Sequence, residues 1–210
     1  KGPGTFDELQ QNGGCRCIRE VVTERFLANV QGSFYELPRE SAGGLAKIKP
    51  ICTHNFLIYD FASWRGMLVL SGNLEEAADD GHYISSDDGK AGLWFGNVDD
   101  LWRMGTPRGE GGPCHDLEMK AGEPSDPYLM TGYDRKSVRP SHDSKTAVTF
   151  TIEVDYMADN TWHVYDRIPV QPGETVRHDF PTGFQAHWVR VTVDRDCTAT
   201  AWFVYGESKR

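Results

Sequence analysis

Val148-Thr149-Phe150-Thr151-Ile152-Glu153-Val154-Asp155 places Val148, Phe150, Ile152 and Val154 on one face of an extended chain, and Thr149, Thr151, Glu153 and Asp155 on the other. A period of two marks a strand with one buried and one solvated face. Towards the C-terminus, a turn at Asp159-Asn160 precedes a second strand from Trp162 to Val170. Gln171-Pro172-Gly173-Glu174 turns the chain again, because Pro presets φ and Gly accepts positive φ. Val176 and Phe180 continue as a third strand, closed by Pro181-Thr182-Gly183. Val189, Val191 and Val193 alternate with Arg190 and Thr192, and a last strand carries Ala199, Ala201, Phe203 and Tyr205. Evenly spaced strands joined by polar turns predict a β-sandwich.

Towards the N-terminus the strands are less regular. Phe34 to Leu37, Ile48 to Cys52, Phe56 to Phe61, Met67 to Leu70 and Leu93 to Phe95 suit extended structure. Helical signals are confined to Asn73–Asp80 and Asp7–Gln11. Thr106 to Pro127 is rich in Gly and Pro and reads as a loop that is functional or packs across another element. The fold class is therefore all-β, with an irregular portion over residues 1–108 and a sandwich over 109–210.

A chain of 210 residues has room for one large or two modest cores, and 39% hydrophobic with 25% charged residues is a globular composition. No apolar run approaches the roughly 18 residues of a membrane-spanning helix, so a membrane is not expected among the partners. The net charge of −9 repels phosphate backbones and argues against nucleic acid. It suits neutral ligands or calcium; no other cofactor is implied. The chain begins Lys1-Gly2-Pro3-Gly4 without a leader, as expected of a processed secreted protein or a piece of a longer one. Cys15 and Cys17 are one residue apart, which matches neither redox nor zinc spacing. With Cys52, Cys114 and Cys197 they read as buried or incidental thiols, as members of one or two disulfides, or as part of a metal cluster.

Tyr83 to Trp94 reads as a hairpin turning at Asp88-Gly89. Ser85, Asp87 and Gly89 match a degenerate Asp-box, a structural turn of β-propellers. Two further stretches, Leu93-Trp94-Phe95-Gly96-Asn97-Val98-Asp99-Asp100-Leu101-Trp102 and Gly111-Gly112-Pro113-Cys114-His115-Asp116 through Ser125 to Lys136, are the most distinctive. Here the chain, over roughly residues 20–205, resembles a group of secreted microbial proteins that couple a β-propeller to a C-terminal β-sandwich. They occur among carbohydrate-processing proteins. The resemblance implies a propeller-like first portion, completed by a second chain or fragment or by further copies, and a secreted or periplasmic location.

Several residues could carry chemistry. His54 stands at a strand end before Tyr59, Asp60, Trp64 and Arg65. Near a propeller axis, Arg65 could neutralise a sugar acid while His54 or Tyr59 moves a proton. The plainer alternative is a half-buried His54, with Asp60 and Arg65 as an ion pair. Ser125-Asp126-Pro127-Tyr128 holds Asp126 extended before proline, as a sugar or calcium contact or as scaffold. Trp188 and Trp202 fall opposite the Val189 and Phe203 rows, where their rings could take the apolar face of a sugar or bury in an interface. The 31 acidic residues nominate no glycosidase pair. No phosphate loop, dinucleotide fingerprint, zinc-protease motif or nucleophile elbow is present. Two functions follow: part of a secreted carbohydrate-active enzyme, a polysaccharide hydrolase or lyase using His54, Tyr59 and Arg65 with Trp64 at the substrate, or a non-catalytic glycan-binding or assembly module.

Overall fold

The computed structural model describes residues 17–21, 25–54, 56–73 and 81–206. The protein is all-β, and the chain divides into two compact units, Lys1–Arg108 and Gly109–Arg210. Both helical expectations, Asp7–Gln11 and the stretch after Asn73, lie outside the described residues; Asn73 itself ends a strand. The short helices that are described are 3-10 turns at Glu40–Ala42, Gly44–Lys47 and Val98–Arg103.

In the first unit, β1 (Cys17–Val21), β2 (Arg25–Val30), β3 (Ser33–Leu37) and β4 (Lys49–Thr53) form an antiparallel sheet in successive order. β5 (Leu57–Trp64), β6 (Met67–Asn73), β7 (Tyr83–Ser85) and β8 (Gly92–Gly96) form a second, in the order β5-β6-β8-β7. Leu27, Phe34, Ile51, Phe61, Leu68, Trp94 and Leu101 share one core drawn from both sheets. β5 and β6 are joined by Arg65-Gly66, both at positive φ (50° and 83°), the geometry of a two-residue hairpin turn. The β7–β8 hairpin forms at the expected place, but a neighbouring residue braces it. Ser86 Oγ donates to Asp88 Oδ1 at 2.7 Å, and Lys90 N–H donates to the same oxygen at 3.1 Å. Asp88 with Ser86, rather than Asp87 with Ser85, rigidifies this turn, and the Ser86 hydrogen bond lowers the Asp88 pKa.

The described residues of the second unit form eight strands: β9 (Gly109–Met119), β10 (Tyr128–Leu129), β11 (Lys136–His142), β12 (Val148–Asp155), β13 (His163–Val170), β14 (His178–Asp179), β15 (Trp188–Val193) and β16 (Cys197–Tyr205). They pair antiparallel as β10-β15-β12-β13 and β14-β11-β16-β9. The chain passes from one sheet to the other at most connections, and this strand order is that of a jelly roll. Val148, Phe150, Ile152, Val154, Val189 and Val191 of one sheet and Val138, Ala199, Ala201 and Phe203 of the other are buried in a common core. Each of the valine, isoleucine and phenylalanine side chains contributes about 1.5–3 kcal/mol through burial.

Two expectations need correction. The third strand, placed from Val176 to Phe180, is only His178–Asp179, and it pairs with β11. The Gly- and Pro-rich segment is not chiefly a loop, since Gly109–Met119 is an eleven-residue strand at the sheet edge. An edge tolerates Pro113, which has no N–H to offer. Gly112 is there for close approach: a Cβ on it would lie 1.9 Å from the Ala201 carbonyl oxygen. The β9–β16 register slips on both sides of Ala201, as bulges around such a contact require. Cys52, Cys114 and Cys197 are free thiols, and burial pushes Cys52 up to about 12 and Cys114 up to about 11. Cys15 lies outside the described residues.

Candidate functional site

The inward residues of β12 and β15 make the core, so their alternate residues must face out. Cross-strand register sets Glu153 opposite Arg190, Thr151 opposite Thr192 and Asp155 opposite Trp188. Trp162 stands one residue before the His163–Val154 pair and is therefore level with Asp155. Trp162, Asp155 and Trp188 form a row across three strands, with the two tryptophan backbones about 10 Å apart, or two strand spacings. Beside that row, Arg190 Nε donates to Glu153 Oε2 at 2.8 Å, and Thr192 Oγ1 donates to the same oxygen at 3.4 Å. The Arg190 guanidinium carbon lies 4.3 Å from the Trp162 ring centroid, so its side chain reaches across β12.

Asp155 builds the mount for Trp162. It is only 2% exposed, although it sits on the outward side of β12. The chain folds back over it, and its carboxylate accepts backbone N–H groups from Met157 (3.0 Å), Asp159 (3.4 Å) and Asn160 (2.8 Å). Ala158 and Asn160 both have positive φ (55° and 67°), which non-glycine residues adopt at a cost. Asn160 Oδ1 in turn accepts the Trp162 indole N–H at 2.7 Å. The ring is thus held by its nitrogen at one point and by Arg190 on one face.

The Arg190 and Glu153 side chains are 23% and 18% exposed, shielded enough for the pair to hold its geometry. Ordered indole rings beside hydrogen-bonding groups can stack on the apolar face of a sugar ring and fix its hydroxyls. Among the described residues, no group of three or more His, Cys, Asp or Glu converges to hold a metal ion.

The residues singled out from sequence are dispersed. Trp188 is on this outer face. Asp126 is exposed and lies between Ser125, which is hydrogen-bonded to Val191, and Tyr128, paired with Val189, so it is level with Arg190. Tyr128 turns inward, its ring 5.7 Å from Phe203 and 6.0 Å from Tyr205. Trp202 is on the outer face of the other sheet, with the His115 ring edge-on at 5.2 Å. Trp188 and Trp202 therefore share no platform.

His54 is 4% exposed, with its ring between Phe34 and Phe56. The Phe56 N–H donates to its Nδ1 at 3.2 Å, which leaves Nε2 to donate to Asn29 Oδ1 at 3.0 Å. Burial holds this imidazole down to about 4, so it is neutral at physiological pH. Tyr59 and Trp64 are 53% and 51% exposed on β5. Arg65 occupies the hairpin turn and lays its guanidinium over Trp64 at 4.9 Å. The run of β5 from Tyr59 to its end at Trp64 puts well over 10 Å, about five strand rises, between Tyr59 and the turn that carries Arg65, so His54, Tyr59 and Arg65 do not converge. Asp60 does not pair with Arg65 either: its carboxylate takes a bidentate bond from Arg19 at 2.9 and 3.1 Å.

Trp162, Arg190, Glu153 and Asp155 escaped the sequence reading. Their outward placement was legible in the alternation of β12 and β15, and a strand ending in Asp155 before a polar turn is a capping signal. Which of those outward residues meet is set by register between strands about 35 residues apart, and alternation alone does not carry it.

No protein-family model matches the chain, and no curated protein matches it. Among solved structures, one described as "Crystal structure of PirA" is similar at 14% identity and a TM-score of 0.30, over 44% of this chain and 92% of that one. A likeness of that degree carries no argument about function.

Proposed function

We propose that Gly109–Arg210 is a non-catalytic glycan-binding module, part of a secreted carbohydrate-active protein, and that it docks on polysaccharide through the outer face of the β10-β15-β12-β13 sheet. One observation carries the reading: Trp162 and Trp188 stand level on that face beside an ordered Arg190–Glu153 pair. Fixed aromatic rings bind sugars with little loss of side-chain entropy, and the mount on Asp155 supplies that fixity for Trp162. The catalytic alternative in the first unit draws no such support, because its histidine is a neutral interior group and its partners are spread along a strand. For the propeller half of the resemblance, the successive β1–β4 sheet has the strand number of a blade. The β5-β6-β8-β7 sheet suits it less, since its order is not successive.

Native affinity electrophoresis of the full chain in gels containing soluble polysaccharides tests the module. Trp162→Ala and Trp188→Ala should each reduce retardation, and Trp202→Ala should not. Equal retardation of all three variants would remove the site. Mass spectrometry of the incubated polysaccharides tests the non-catalytic part. Products heavier by one water would mark a hydrolase, and unsaturated products a lyase.

A further inference from the structure

The polar pair on this face specifies more than a sugar. Arg190 commits Nε to Glu153, and its two terminal nitrogens have no hydrogen-bond partner among the described residues. Glu153 receives Arg190 and Thr192 on Oε2, while Oε1 accepts nothing among the described residues. The face of the guanidinium is taken by Trp162, so a ligand reaches it along its N–H edge. A free donor edge and a free acceptor oxygen therefore stand side by side, joined by the bond between them.

Resting on the glycan-binding reading, we propose that this face selects an uncharged sugar through two adjacent hydroxyls. One hydroxyl oxygen accepts from an Arg190 terminal N–H, and its neighbour donates to Glu153 Oε1. A vicinal diol satisfies both groups without breaking their bond. A uronate carboxylate fits poorly, because it must compete with Glu153 for one guanidinium and then faces the Glu153 charge at close range. In a partly shielded site that repulsion is expensive. Asp155, in the row between the two tryptophans, and Asp126, level with Arg190, add to the negative field, as does the chain's net charge of −9.

The test uses the full chain, with β-glucan, xyloglucan and xylan as neutral probes and polygalacturonate and alginate as charged ones. Binding is read by affinity electrophoresis and calorimetry, with far-UV circular dichroism and unfolding midpoints confirming each variant's fold. The expected result is retention by at least one neutral polymer, none by the uronates, and a loss of about tenfold or more in affinity for Glu153→Gln and Arg190→Lys. The Arg190→Lys variant keeps the charge and loses the paired N–H edge, so it decides the matter should Glu153→Gln not fold. Binding to uronates that tightens in Glu153→Gln would overturn the diol proposal and leave the platform standing. Neutral binding indifferent to both substitutions would do the same. Absence of binding to every probe, or binding unaffected by Trp162→Ala and Trp188→Ala, would overturn the platform and the proposal together.

Discussion

The Asp155 carboxylate accepts the backbone N–H of Asn160 at 2.8 Å, and Asn160 then holds the Trp162 indole nitrogen at 2.7 Å. A buried acid thereby sets the position of a surface ring that it does not touch through any of its own hydrogen bonds. The turn between them holds two residues at positive φ, Ala158 and Asn160, a costly conformation that the hydrogen bonds to the carboxylate offset.

Asp155→Ala removes acceptors from three backbone N–H groups and should destabilise the second unit by about 2–3 kcal/mol, measured by urea unfolding. Asn160→Ala leaves most of the turn's bonds in place and should cost less stability while freeing the ring. Trp162 emission should red-shift in both variants, against a Trp162→Phe background to assign the signal. Unchanged stability and emission in Asp155→Ala would refute the mount.

His54 charges when the first unit unfolds. Burial holds its folded pKa to about 4 against an ordinary 6.5, so between these values the unfolded chain binds the extra proton. Stability is therefore complete above pH 6.5 and falls as the pH drops towards 4, by about 3 kcal/mol from this group. Urea midpoints of the wild type and of His54→Gln, recorded from pH 7 to 4.5, should converge on acidification.

Lys136 works in the alkaline range. It is buried, and its Nζ donates to the carbonyls of Tyr133 and Phe184. Burial pushes its pKa down to about 8 from 10.5, with Asp134 opposing the shift. Between those values the unfolded chain holds more protons, so this group makes stability rise with pH. Lys136→Met should lack that rise between pH 8 and 9.5 in matched unfolding experiments.

Gly112→Ala would drive a methyl group into the Ala201 carbonyl across the β9–β16 pair. Backbone must move on one strand or the other, at a cost of about 2–3 kcal/mol. Gly122→Ala, where a Cβ meets nothing within 4 Å but φ is +76°, should cost about 1 kcal/mol from backbone strain alone. Thermal unfolding that ranks the two the other way would contradict the close approach.

Much of the sandwich was legible in the chain, because alternation reports directly which side of a strand is dry. Val148 to Val154, Val189 to Val193 and Ala199 to Tyr205 are buried in that pattern. The turn at Gln171–Glu174 was equally plain, since its Pro fixes φ locally and its Gly takes up the positive φ that other residues avoid. The Gly-rich edge strand misled for the same local reason. Glycine reads as a turn residue, whereas at Gly112 the requirement comes from a carbonyl on a strand nearly ninety residues away in sequence.

By itself the sequence determined an all-β chain, the inward and outward sides of its late strands, and the outward placement of Trp188. Only the tertiary structure decided that Trp162 joins Trp188 in one row, that Trp202 belongs to a different face, and that Arg190 meets both Glu153 and Trp162. The physical reason is range. Side-chain alternation is a property of consecutive residues, whereas register and sheet order come from pairing between strands far apart in the chain, settled by how both sheets close over a common core.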